Sequence, residues 1–307
     1  ISKYASIYTV IGQLLYGVKL GINYPIMLAT PIVLIGLVYL IGRPLYFLLA
    51  SKTSEEASLN KHKTNKGGEK NLFWTFLKKE LLISSRTPQE TLSHYSLLLA
   101  LPFIMFTINS LYMGMNRNSQ GNMFVLVFNV LIVLMVVTAS NTASATAISS
   151  EGYEFVLLKT APSETKTIAW SKITFNIAAS TVMILISFII FQITMPLFPV
   201  MNTWLLFLLV ILINISHILW SFQIDLLNPQ LNQYATLGTL NNSPNVSKSI
   251  GIGFSLSLIF GIVALISFLA LKDLGWIVLY IMASALMIIR FMYFRSYLSA
   301  YFIDIEL

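Results

Sequence analysis

The chain has no cysteine, so it has no disulfide framework, no thiol chemistry and no cysteine-ligated metal. Charge is scarce as well. Only 10% of its 307 residues are Asp, Glu, Lys or Arg, against about 25% in soluble globular chains. The three histidines, His62, His94 and His217, are far apart in sequence. Catalytic motifs are missing: there is no GxxxxGK[ST] to cradle ATP phosphates, no HExxH and no GxSxG. Gly67-Gly68-Glu69-Lys70 lacks the spacing and flanking strand of a phosphate loop, and Gly251-Ile252-Gly253 has no strand before it. No catalytic residue, cofactor or bound metal is expected. The first residue is Ile, and no basic segment precedes a short apolar core, so no signal peptide is recognisable. The sequence reads as a fragment without its natural N-terminus.

What the chain does have is apolar length. Apolar residues make up 56% of it, gathered into runs, and about 20 apolar residues cross a bilayer. Residues 1–23, broken by Gly12, Gln13, Gly17, Lys19 and Gly21, read as an interfacial segment, and Tyr24 to Gly42 reads as a span. Together with an extension to Ala50, residues 1–50 are expected to end a preceding membrane half. Residues 51–70 are rich in Lys, Glu, Asn, Ser and Gly and read as a flexible linker. Residues 71–307 are expected to form one bundle with further spans at about Ser93–Met113, Met123–Ala145, Ile173–Ile193, Trp204–Ile224, Ile250–Leu271 and Trp276–Met292. Short connections join these spans into hairpins, and Pro102 should kink the first. The expected fold class is all-α polytopic membrane protein, with about seven transmembrane helices and an in-plane amphipathic elbow helix.

The elbow is residues 71–86. At about 100° per residue, Leu72, Phe73, Phe76, Leu77, Leu81 and Ile83 share a face, with Thr75, Lys78, Lys79, Ser85 and Arg86 opposite. Two residues disobey: Glu80 falls in the apolar arc and Leu82 in the polar one. Aromatics opposite basic residues describe a helix lying at an anionic surface, with Phe73 and Phe76 among headgroups and Lys78 and Lys79 toward the cytosol. An ordinary helix packed on a soluble domain shows the same pattern, but the sequence supplies no such domain.

Orientation follows from the basic residues. With 51–92, 146–172, 225–249 and the C-terminus in the cytosol, all nineteen Lys and Arg except Lys3, Lys19, Arg117 and Lys272 lie inside. The expected location is the cell membrane, multi-pass. The net charge of +7 sits mostly in loops beside apolar runs and implies no nucleic-acid partner. No Asp, Glu, Lys or Arg falls near the centre of a predicted span, and ion-coupled carriers need such groups there. Inside the spans, Asn141, Asn214 and His217 are candidates for lining a path. A neutral imidazole bonded to a neighbouring helix is the competing role for His217, and bonds between helices the competing role for the asparagines.

A polar island, Ser149 to Lys172, separates two apolar runs. A solvated connecting loop is its simplest reading. Its residues Ser149, Glu151-Gly152, Phe155, Leu158-Lys159, Pro162 and Lys172 resemble the cytosolic loop of ABC-2-type permeases, in the branch of putative ABC exporters. Ser150 stands where that branch often has arginine. Ile224-Asp225, Asn228-Pro229 and Leu231 resemble a second step of the same family. The resemblance implies a permease subunit of an ATP-driven exporter that forms the translocation path, hydrolyses no ATP itself and works with a cytosolic ABC ATPase. It further implies contact with membrane lipids and a dimer or tandem-half assembly. By the same resemblance, Glu151, Gly152, Tyr153, Phe155, Leu158 and Lys159 would couple to the ATPase, and Phe73, Phe76, Lys78, Lys79 and Glu80 would belong to the elbow. An integral-membrane enzyme, or a membrane assembly protein without transport activity, is the rival expectation.

Overall fold

The computed structural model describes residues 71–86, 88–112, 119–160, 165–194, 200–232 and 243–304, and before them only positions 32, 36, 39 and 40. The chain divides into two units, Ile1–Gly68 and Glu69–Leu307. In the first, the four described positions are helical. The interfacial segment, most of the Tyr24–Gly42 span and the 51–70 linker lie outside the described residues. In the second, every described element is helical.

These elements are α1 (Leu72–Arg86), α2 (Pro88–Tyr112), α3 (Ser119–Ala139), two 3-10 segments (Asn141–Thr146 and Ser149–Glu154), α4 (Phe155–Thr160), α5 (Thr165–Thr194), α6 (Val200–Leu227), α7 (Pro244–Leu271), a 3-10 turn (Lys272–Leu274) and α8 (Gly275–Asp304). Five stretches are long and apolar enough to cross a membrane: Thr91–Ser110, Gly121–Thr160, Lys166–Ile193, Met201–Leu227 and Pro244–Leu298. As one straight helix the last would run about 80 Å, far more than a bilayer. The turn at Lys272, where φ is 50°, breaks it, and α7 and α8 pack against each other. Leucine, isoleucine and phenylalanine side chains remain uncovered along these helices, among them Phe103, Ile193, Ile262 and Ile281. Apolar surface on that scale belongs in lipid. The unit is a membrane-embedded helical bundle.

The sequence expects a single span through Ala145. The structure ends α3 at Ala139 and continues in 3-10 geometry. The run from Ser140 to Thr146 explains the change. Ser, Thr and Asn offer the backbone side-chain bonds that compete with the helix. Thr138 and Ser140 hydroxyls donate to the carbonyls of Leu134 and Val137. At the other helix ends the correction runs the opposite way, because α5 and α7 begin several residues before the apolar runs they contain. For α7 the cause is local. Ser243 caps it by accepting from the Asn245 backbone N–H, and Pro244 occupies the first turn, where its missing donor costs nothing.

Two apolar clusters fill the interior. One joins α2, α3, α5, α6, α7 and α8 through Leu101, Leu134, Phe188, Leu209, Phe260 and Leu279. The other sits at one end, around Ile148, Phe155, Ile173, Phe222, Leu226 and Phe294. On α6 the fully buried residues of the first cluster run to Ile213 and those of the second begin at Ile218, with the buried polar residues Asn214, Ser216 and His217 between them. A polar layer therefore separates the two.

Candidate functional site

The end of the bundle beneath the second cluster holds a ladder of alternating charges. Lys79 on α1 pairs with Glu151 at 2.8 Å. Glu151 also pairs with Lys172 on α5, and Lys172 pairs with Glu80 on α1 at 2.9 Å. Side-chain exposure is only 4% for Lys172 and 5% for Glu151. Each buried charge thus has two opposite charges around it, the condition under which burial of ions is tolerated. The ladder ties three separate segments, α1, the Ser149–Glu154 turn and α5, into one body.

This arrangement explains why Glu80 breaks the amphipathic pattern of α1. It lies on the face turned to α5 because its partner is there. The pattern is corrected further. Phe76, half-buried, packs on the end cluster, while Leu72, Trp74, Leu81 and Leu82 are exposed. Lys79, expected on the cytosolic face, reaches back to Glu151, whereas Lys78 is exposed. Phe73 is half-buried and meets Trp74 edge to face at 5.6 Å.

A second knot lies beside the ladder. Asp225, near the end of α6, is fully buried. One carboxylate oxygen accepts from the backbone N–H groups of Ile148 (2.6 Å) and Ser149 (3.0 Å). The other accepts from the Ser149 hydroxyl and, at 3.0 Å, from Asn245 Nδ2. Asn245 also donates to the Asn228 carbonyl at 2.8 Å, and the Gln230 backbone N–H donates to Ser149 Oγ at 2.8 Å. The two stretches singled out in the sequence, Ser149 to Lys159 and Ile224 to Leu231, are therefore brought together by Asp225 and Ser149. Sequence reasoning missed Asn245. The Ser243-Pro244 helix start was the signal for it, since that cap places Asn245 in the first turn of α7, beside the end of α6.

Between knot and ladder the chain turns sharply at Gly152, whose φ of 52° and ψ of −138° are open only to glycine. The turn lets Glu151 point inward to Lys172 and, three residues later, Phe155 point into the core. Gly152→Ala is expected to cost about 1–3 kcal/mol through backbone strain alone, read as a lowered unfolding midpoint in detergent. A wild-type midpoint would mean that the turn relaxes without strain.

The residues expected to couple to a partner divide. Glu151, Gly152 and Phe155 are buried, with Phe155 at 0% exposure. The side chains of Glu151 and Phe155 are enclosed by the chain's own residues. Leu158 is half-buried and packs on the end cluster. Tyr153 and Leu157 are 63% and 70% exposed, Val156 is also exposed, and Glu154 and Lys159 face outward with them. The amphipathic piece thus presents Tyr153, Glu154, Val156, Leu157 and Lys159, and anchors itself through Glu151, Phe155 and Leu158.

The polar layer gathers Asn141, Asn214 and His217, all buried. Asn141 Nδ2 donates to Asn214 Oδ1 at 2.9 Å and lies 3.1 Å from His217 Nδ1. Asn214 donates to Ser180 Oγ at 2.8 Å. His217 Nε2 lies 3.0 Å from the Ser249 carbonyl, which can only accept, so Nε2 carries the proton and Nδ1 accepts from Asn141. The imidazole is neutral and bonded to neighbouring elements, and the three residues tie together the first 3-10 segment, α5, α6 and α7.

A cavity of about 550 Å³ opens beside the ladder, between α1, α2, α5 and the 3-10 segments. Glu80, His94, Tyr95, Glu151, Lys172 and Asn176 are among its lining residues, and Asn141, Asn214 and His217 are not. Tyr95 donates to Asn176 Oδ1 at 2.9 Å, and His94 Nδ1 is 2.8 Å from Thr142 Oγ1. Among the described residues no group of His, Asp and Glu is arranged to hold a metal ion. Compared with protein-family models, curated proteins and solved structures, the chain matches none.

Proposed function

We propose that this chain is the membrane-spanning permease subunit of an ATP-driven exporter, that it forms the translocation path, and that it works with a separate cytosolic ATPase of the ABC type. One observation supports this reading above the others. The stretch from Ser149 to Leu158 combines an exposed face with a rigid mounting. Its outer residues Tyr153, Glu154, Val156 and Leu157 are offered to a partner. Its inner residues are fastened to α1 and α5 by the charge ladder, and to α6 and α7 by Asp225. A force on the outer face therefore reaches four helices at once. A solvated connection would need neither the buried charges nor the buried aromatic. In this reading residues 71–307 cross the membrane six times, α1 lies in the membrane plane as an elbow with Leu72, Trp74 and Leu81 toward lipid, and the ladder end faces the cytosol.

Coupling requires contacts that differ between two states, not proximity alone. Tyr153→Ala combined with Leu157→Ser is expected to lower stimulated ATP hydrolysis and transport together while insertion and stability stay at wild-type levels. Both side chains are exposed, so the bundle loses no core contact. A cysteine in place of Leu157 is expected to cross-link to the ATPase with a yield that ATP changes. Unchanged activities and no cross-link would remove the coupling role.

A further inference from the structure

A shallow groove of about 370 Å³ runs between α6 and α7, walled by Trp220, Ile224, Ile252 and Ile259, with Gly251 in its lining and Lys248 beside its polar end. Its apolar walls suit a hydrocarbon chain. Its charge is more particular. Lys248, one turn into α7, is exposed, and among the described residues it makes no ion pair or hydrogen bond. The guanidinium of Arg290 on α8 lies 3.1 Å from the centre of the Trp220 ring, which walls the groove. Its Nε is buried without an acceptor. Among the described residues no carboxylate balances these cations. The one acidic residue of α6 is Asp225, enclosed in its own hydrogen bonds; α7 has none and α8 none before Asp304. The positive end of the α7 dipole falls beside Lys248.

We infer that this groove is a binding site for an anionic glycerophospholipid of the bilayer, with an acyl chain along Ile224, Ile252 and Ile259 and the phosphate held by Lys248 and Arg290. The site goes beyond the transport reading and stands whether or not that reading does. Charge complementarity selects the occupant: a zwitterionic lipid fills the apolar walls equally well but brings its own cation to the two already there. Basic positions between membrane helices recognise acidic headgroups by this chemistry.

The test uses the whole chain in neutral detergent, titrated with phosphatidylglycerol or with phosphatidylcholine of the same acyl chains, and bound lipid is counted by native mass spectrometry. Phosphatidylglycerol is expected to bind at least about tenfold more tightly. Lys248→Gln with Arg290→Gln should abolish that preference and leave phosphatidylcholine binding unchanged. Gly251→Leu should weaken both lipids by filling the groove. A Cβ at Gly251 meets nothing within 4 Å, so a side chain can start there without a clash, and an unfolding midpoint at the wild-type value separates loss of the site from loss of structure. Equal affinity for the two lipids in the wild type would overturn the inference. So would a preference that survives in the double variant, or phosphatidylglycerol binding untouched by Gly251→Leu.

Discussion

Lys172→Met is expected to destabilise the bundle by about 3–5 kcal/mol, the cost of removing one partner from a buried set of ions. Methionine fills much of the space, so the loss is electrostatic. The substitution leaves Glu80 without its cation, and Glu151 with Lys79 alone, in a region where Glu151 and Lys172 are almost fully covered. The measurement is the unfolding free energy in detergent micelles, followed by tryptophan fluorescence. Trp170, two residues away and packed on Phe294 at 5.0 Å, reports on this end of the bundle. Glu80→Gln and Glu151→Gln added to Lys172→Met should recover part of the loss, because they remove the orphaned charges. That recovery distinguishes the ladder from a simple packing defect. A loss below about 1 kcal/mol for the single variant would mean that the ladder is solvated, as a surface ion pair is.

Asp225→Ala is the second large effect. Four donors converge on this carboxylate: two backbone N–H groups, the Ser149 hydroxyl and the Asn245 amide. Each buried donor left unsatisfied costs about 1–3 kcal/mol, so the variant should lose at least about 3 kcal/mol. It should also lose local order. The backbone from Ile148 to Gly152 has few other ties to α6, and its amide hydrogens are expected to exchange faster than those of α3. Asp225→Asn should rescue little, because its NH₂ would face donors where an acceptor is needed. Wild-type stability together with unchanged exchange at Ile148 and Ser149 would show that the knot holds nothing.

These two sites show how far the sequence can be read. Asp225 and Lys172 each stand at the edge of an apolar run, and nothing in their position marks them as buried. Burial was not visible, because it depends on partners far off in the chain. Glu80 was the nearest thing to a signal. A carboxylate in the apolar arc of an amphipathic helix conflicts with its surroundings, and such conflicts point to a partner elsewhere. The sequence could not say that the partner was Lys172. Phe155 is a related case. In a short amphipathic piece an aromatic fits equally well outside or inside. The turn at Gly152 decided it, by rotating Phe155 into the core and leaving Tyr153 outside.

The sequence by itself determined that the chain is helical and embedded in a membrane. In hydrocarbon every backbone group must find its partner inside the protein, which a helix does within its own segment, so runs of about 20 apolar residues become helices. It also placed the break at Lys272 to within a few residues, because charges and turn residues act locally, whereas α3 ends at Ala139, inside the span expected to run to Ala145. Only the tertiary structure decided which polar groups are buried and with whom. Glu151 meets Lys79 and Lys172, Asp225 meets Ser149 and Asn245, and Asn141 meets Asn214 and His217. The reason is range. A helix forms from contacts three and four residues apart, whereas these pairings depend on how the helices are packed together, which no short window of sequence contains.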